Sequence, residues 1–415
     1  MWRSLYSLLL YLLWPLVALR LLWRARRNPE YRRRWGERFA VGPRLDAAPR
    51  LWVHAVSVGE VVAAVPLVRA LMARFPDHRI LVTTTTPTGS AELRRRLGET
   101  VEHRYLPLDL PHLMRGLLRA VRPRLLVVME TELWPNLFAA CRRQGVPVML
   151  VNGRLSARSF RGYRRIRPLV AEALGAVTAL AARSDEDAER FIGLGARPER
   201  VRVTGNLKYD LELPAGGAGI KPLMRPAWIA ASTHEGEDER LLAVHGRVLE
   251  RVPDALLILV PRHPERFEAV AELCRAAGMP AARRSRGEQP GPDTRVWLGD
   301  TMGELPELFP LARVAFMGGS LVPTGGHNPL EAAAHGLPVL TGPHVFNFRE
   351  VFDALVQAGG AEVVADEATL AGRLIALLSD EAERSRRGES AARVVQENRG
   401  AVARVVDWVE QVASG

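Results

Sequence analysis

Two cysteines in 415 residues, Cys141 and Cys274, are too few and too far apart for a disulfide framework or a zinc site. They fit a reducing compartment, with both thiols as small core residues. No G-x-G-x-x-G follows a strand-like run with an acid downstream, so a dehydrogenase reading lacks its fingerprint. No G-x-x-x-x-G-K-[ST] occurs, which excludes a P-loop enzyme. The arginine-rich helical stretches have no aromatic stacking run or DNA-binding motif beside them, so nucleic acid is not the expected partner. Collagen-like and low-complexity tracts are missing too. What remains, 47% hydrophobic and 25% charged, is ordinary for a globular chain long enough for two domains of about 200 residues.

One sign of charge is in excess. A net charge of +11 calls for an anionic partner, such as a lipid surface or a phosphorylated substrate. An apolar run from Leu5 to Leu19, interrupted by Pro15, precedes Arg20, Arg24, Arg26, Arg27, Arg32, Arg33 and Arg34. It is short for a full span, which needs about 20 residues, unless Leu21, Leu22 and Trp23 extend it. Charge after the run, with no small-residue cleavage site, disfavours a signal peptide. Residues 1–27 therefore read as a membrane anchor, monotopic or a marginal span, with the arginines on the cytoplasmic side against anionic headgroups. A packed N-terminal helix is the alternative, in which Arg20 and Arg24 need a watery face.

From residue 51 onward, short β-rich runs alternate with amphipathic helical patterns. Leu51–His54, Arg79–Thr83, Leu125–Met129 and Pro147–Val151 read as buried parallel strands, with helices such as Val61–Phe75 and Pro135–Gln144 between them. Pro and Gly density marks a linker over 211–226. A second series follows: Ala227–Ala231, Ala255–Val260, Thr294–Leu298, Val314–Met317 and Pro338–Leu340, then a terminal helical pattern over about 384–412. The expected fold class is α/β, with two doubly wound domains, 28–210 and 227–415, facing across a cleft beyond the carboxyl ends of their strands.

Polar motifs sit at those strand ends. His54-Ala55-Val56-Ser57-Val58-Gly59-Glu60 places Gly59 at a turn and Glu60 in a first helical turn, where the helix dipole would hold a carboxylate base ionised. An acid there is also a common stabiliser. Met129-Glu130-Thr131-Glu132 sets two acids ahead of a helix started by Pro135. These acids are costly unless wet or paired, although one of them also fits as a cap. Lys208, in Asn206-Leu207-Lys208-Tyr209-Asp210, suits developing charge on a leaving phosphate, and equally a solvated position.

In the second half, Ser232-Thr233-His234-Glu235-Gly236-Glu237 follows one strand. Pro261-Arg262-His263-Pro264-Glu265-Arg266 follows the next, and Arg262 there suits a phosphate. The backbone of Met302-Gly303-Glu304 can read a base edge. Met317-Gly318-Gly319-Ser320 to Gly325-Gly326-His327-Asn328-Pro329-Leu330-Glu331 has two glycine pairs, an N-cap Asn328, Pro329 as first helical residue and Glu331 in reach of ligand hydroxyls. Asn328-x-x-Glu331 also fits a capping box. Asp185-Glu186-Asp187 superficially suggests a metal clamp, but Ser184 directly before it makes capping the better account.

In combination these motifs resemble the bacterial 3-deoxy-D-manno-octulosonic acid (Kdo) transferases of lipid A and lipopolysaccharide assembly. The resemblance spans essentially the whole chain: Arg34–Arg38, Ser57–Glu60, Met129–Pro135, Gly153–Ser156 (with Gly153 where alanine is expected), Pro261–Arg266, Gly299–Leu305 and Gly325–Glu331. It implies a GT-B fold and an inverting glycosyltransferase that moves Kdo from CMP-Kdo to a lipid A precursor, lipid IVA, at the cytoplasmic face of the inner membrane. By the same resemblance Glu60 is the base, and Glu130 and Lys208 assist at the transition state. Pro261, Arg262, Met302, Gly303, Glu304, Asn328, Pro329, Leu330 and Glu331 would contact CMP. No cofactor or metal is expected, since one phosphate can be neutralised by a helix N-terminus with Arg262 and Lys208. Two other readings remain at this stage: another GT-B enzyme, such as a UDP-sugar transferase or epimerase, and a non-catalytic membrane-bound nucleotide-sugar binder.

Overall fold

The computed structural model describes residues 1–27, 29–42, 45–211 and 223–414, and most of the expected 211–226 linker lies outside the described residues. The chain forms two compact units, Met1–Asp210 with the stretch from Asn398 onward, and Leu211–Glu397.

The first unit is built on β1 (Arg50–His54), β2 (Arg79–Thr84), β3 (Glu102–Tyr105), β4 (Pro123–Met129), β5 (Val148–Gly153), β6 (Ala179–Ala182) and β7 (Val201–Val203). They pair in parallel in the order β3-β2-β1-β4-β5-β6-β7. Leu51, Val53, Val127 and Val151 point into one core and Trp52, Leu126, Val128 and Leu150 into another, so both faces of the central strands are buried. That is why these strands read as continuous apolar runs rather than alternating ones.

The second unit has β8 (Ala227–Thr233), β9 (Leu256–Pro261), β10 (Ala281–Arg283), β11 (Val296–Leu298), β12 (Val314–Met317), β13 (Val339–Thr341) and β14 (Ala361–Val363). Their order is β10-β11-β9-β8-β12-β13-β14, again parallel. β3, β6, β10 and β14 were not expected from the sequence. They are short, and β3, β10 and β14 are not fully buried, so no long apolar run announces them.

Two expected boundaries change. The terminal helical pattern is two helices, Glu381–Glu397 and Ala401–Ser414, broken at Gly400 with φ 90°. The second of them belongs to the first unit and not to a 227–415 domain. Its apolar face, Val405, Val406, Trp408 and Val409, packs in the core under β1 and β4. Asp210 fixes its start, accepting hydrogen bonds from Gly400 N at 2.6 Å and Val402 N at 2.5 Å.

The apolar N-terminus is one helix, Trp2–Arg27, continuous through Pro15. It is docked on the first unit by polar contacts. Arg3 reaches Glu172 at 3.1 Å, Tyr6 donates to Asp109 at 3.1 Å and Ser7 to Asn136 at 3.0 Å. Its leucines face outward: Leu12, Leu16 and Leu19 are 68%, 61% and 62% exposed. Among the described residues it is the single helix long and apolar enough to cross a membrane, and its exposed stripe is compatible with an anchor.

Candidate active site

In the first unit the strand order reverses between β1 and β4, and the crevice beyond their carboxyl ends is the expected ligand position. Glu60 is there, in the first turn of the helix Val58–Arg74. Its carboxylate accepts hydrogen bonds from Val56 N at 2.8 Å and Ser57 Oγ at 3.0 Å. Burial pushes its pKa from 4.5 to about 7, against those two hydrogen bonds and with help from the charges of Glu132 and Glu130. The sequence expectation was a carboxylate held ionised by the helix dipole, whereas burial here works toward the protonated form. A carboxyl near 7 is matched to proton transfer at neutral pH. Gly59 lies inside the helix rather than at a turn, and a Cβ there would meet nothing within 4 Å. His54 is fully buried, bonds Thr83 Oγ1 at 2.9 Å and is held neutral by burial, its pKa down to about 4.

Glu130 follows β4 with a left-handed φ of 55°, a costly conformation for a side-chain-bearing residue. Its carboxylate is paired with the buried Arg183 at 2.5 Å. Glu132, half-buried, has its pKa raised by burial and by the charge of Glu130. Arg183 also donates to Asn152 O at 3.2 Å, and Asn152 Oδ1 accepts from Leu207 N at 3.1 Å. Leu207 opens the short turn that carries Lys208, capped by Asn206 Oδ1 on Lys208 N at 3.1 Å. Asn152, itself at φ 56°, thus ties the elements carrying Glu130 and Lys208 together. Sequence reading missed Asn152 and Arg183. Arg183 follows the unexpected β6, so its place at a strand end was hidden.

The second unit has its reversal between β8 and β12. The loop after β12 is not shaped as expected. Gly319 N, Ser320 N and Leu321 N donate to the carboxylate of Glu237 at 2.6, 3.0 and 2.9 Å, with His234 N a fourth donor at 2.9 Å. Gly319, Ser320 and Leu321 therefore give their N–H groups to an internal carboxyl group and not to a ligand. A Cβ at Gly318 would lie 2.7 Å from Ser232 O and Thr233 Cα, so glycine is required there by packing. At Gly325, φ 103°, a Cβ would fall 2.4 Å from Asn347 Nδ2, and Asn347 in turn donates to Thr324 O at 3.0 Å.

The helix after this loop begins one residue later than expected. It runs Leu330–Ala334 with Pro329 as its cap residue, and Asn328 Oδ1 accepts from Leu330 N at 3.2 Å. Asn328 and Glu331 are half-buried while Pro329 and Leu330 are buried. A helix of five residues carries little macrodipole, so any anion here relies on local N–H groups more than on the helix.

Pro261 ends β9 buried, and Arg262 beside it is exposed, with no ion pair among the described residues. Met302 is exposed, Gly303 takes φ 88° and Glu304 is held by Thr301 Oγ1 at 2.6 Å and by Arg284. Burial works to raise the Glu304 carboxyl, but those two partners hold it below its usual range. Three histidines meet beside Arg262. His234 and His327 meet head-on in nearly one plane, with centroids 5.0 Å apart and Nε2 atoms 2.8 Å apart, and His263 stands edge-on to His234 at 5.1 Å. Their motifs were read from the sequence, but their convergence was not. Asp185-Glu186-Asp187 is a capped helix start, with Asp187 N donating to Ser184 Oγ at 3.2 Å.

Residues 33–211 match the family model described as 3-Deoxy-D-manno-octulosonic-acid transferase (kdotransferase), and residues 284–394 match Glycosyl transferases group 1. The chain is 42% identical, over 99% of its length and 98% of the other, to the 3-deoxy-D-manno-octulosonic acid transferase of Haemophilus influenzae. The chain belongs to the Kdo transferase family. A second Kdo transferase, of Bordetella pertussis, is 40% identical over 99% of both chains. Among solved structures, the UDP-GlcNAc 2-epimerase from Neisseria meningitidis aligns with a TM-score of 0.58 over 88% of this chain and 100% of that one, at 12% identity. Such a likeness speaks for the fold alone. With the two parallel sheets it gives this Kdo transferase the GT-B fold.

Proposed function

We propose that this glycosyltransferase moves Kdo from CMP-Kdo to a lipid A precursor, lipid IVA, with inversion at the anomeric carbon. Glu60 deprotonates the acceptor hydroxyl, which attacks as CMP departs. Glu130, aligned by Arg183, and Lys208 assist at the transition state. The CMP moiety contacts Pro261, Arg262, Met302, Gly303, Glu304, Asn328, Pro329, Leu330 and Glu331, with Arg262 the cation for its phosphate. The observation that carries the reading is the Glu60 carboxyl, buried beyond β1 with its pKa near 7, in a chain of this family. The enzyme works at the cytoplasmic face of the inner membrane, its N-terminal helix in contact with anionic lipids.

The test is incubation of the full chain with CMP-Kdo and lipid IVA, followed by mass spectrometry of the lipid and NMR of the new anomeric centre. A Kdo-mass increment with inverted configuration is expected, together with thermal stabilisation by CMP and not by UDP. Retention of configuration, or an unmodified lipid, would overturn the proposal.

A further inference from the structure

The imidazoles of His234 and His327 stand at the carboxyl ends of β8 and β12, at the reversal point of the second sheet. The rings lie nearly parallel, 14° apart, over Gly319, whose Cβ position would be 3.1 Å from one ring and 3.3 Å from the other. A side chain at 319 would crowd both rings and Thr324 Oγ1, 2.8 Å away, at a left-handed φ of 67° that favours glycine. An Nε2 to Nε2 distance of 2.8 Å requires one proton between the two nitrogens. If both nitrogens were protonated, two N–H groups would oppose each other. If neither were, two lone pairs would. The pair can thus accept one further proton, on an outer Nδ1, without breaking its shared bond, and it then carries one positive charge.

The charges around it are all placed. On the His234 side, Glu237 is occupied by four backbone N–H groups, and Asp238 by Thr233 and Arg266. From the loop after β9 come Arg262 and His263, with Arg266. Burial, then the neighbouring histidines and Arg262, holds His327 neutral, its pKa down to about 3, and burial depresses His234 as well, against the raising charge of Glu237. An anion arriving among Arg262, His263 and the pair would cancel that repulsion and replace it with attraction.

We propose that the His234–His327 pair, with His263 and Arg262, is an oxyanion site that takes up a proton as it binds its ligand, the phosphate of the donor and of the CMP it releases, or the donor's sugar carboxylate. This rests on the donor reading above. The pair then adds positive charge beside the leaving group only while donor is bound, which favours its departure. In the empty enzyme the same pair is neutral, so it does not repel Arg262 from its position.

The test is calorimetry of CMP binding to the full-length enzyme between pH 6.5 and 8.5, in phosphate-free buffers of different ionisation heat. Beside cations CMP itself, with a second phosphate pKa of about 6, loses its residual proton rather than gaining one. Net proton uptake at pH 7, and an affinity falling as pH rises with a slope approaching one, are expected. His327→Gln and His234→Gln should each abolish the uptake and weaken CMP roughly tenfold, while His263→Gln keeps the uptake. CMP binding without uptake in the wild type, or unchanged uptake in both pair variants, overturns the histidine proposal and leaves the donor reading standing. No CMP binding at all overturns both.

Discussion

At the scale of single residues, Glu60 separates what position can tell from what surroundings decide. Its place in the first turn after β1 was legible from the strand-like run and the Ser-Val-Gly-Glu that follows. Its protonation was not, because burial and the neighbouring acids belong to the folded state. Two outcomes follow. With a pKa near 7, kcat/KM should fall about tenfold per unit below that pH, and a flat profile down to pH 5.5 would remove Glu60 as the base. Glu132→Gln removes the stronger of two raising charges and should move that acid limb down by about half a unit. The stability sign is the reverse of a paired acid. The folded pKa lies above the unfolded 4.5, so the native state gains below 4.5 and loses as pH rises through 7. At pH 8 this amounts to on the order of 3 kcal/mol. Glu60→Gln should accordingly lose turnover by ~100-fold or more yet melt no lower than wild type at pH 8, with the comparison made by circular dichroism.

At the scale of elements, the loop after β12 was read for its glycines and its helix start. Two glycine pairs do mark a loop where the backbone must be unusual. Which partner they serve was beyond a local reading, because Glu237 lies 82 residues from Gly319 in sequence. The carboxylate that organises the loop is thus invisible to any pattern confined to it. Glu237→Gln keeps the shape but turns an NH2 group toward two buried donors. It should cost about 2 to 5 kcal/mol in urea unfolding and loosen CMP binding with it. If stability and CMP affinity both stayed at wild-type values, the loop would not depend on this carboxylate. The short strands β3, β10 and β14 escaped for the converse reason: edge positions need no apolar run, and periodicity finds only what is buried.

At the scale of the molecule, the doubly wound character of both halves was legible because central parallel strands advertise themselves. The membership of the terminal helix was not, since an amphipathic face does not name the core it covers. The N-terminal helix shows both outcomes at once. Its arginine belt and leucines were plain, while the docking of Arg3, Tyr6 and Ser7 on the first unit came from residues an anchor alone would not need. Deleting residues 1–27 should shift the protein from the membrane to the soluble fraction on cell fractionation. Continued sedimentation with membranes would place the anchor elsewhere.

The pairing of Asp210 with Gly400 and Val402 has a further consequence. The chain departs from the first unit and re-enters it at a single hydrogen-bonded point, so Leu211–Glu397 is, in topological terms, an insert within an otherwise continuous host. Excising it and joining Asp210 to Asn398 through a few glycines crosses almost no gap, and closing so short a loop carries little entropy. The host fragment should keep its helical terminal segment and unfold cooperatively.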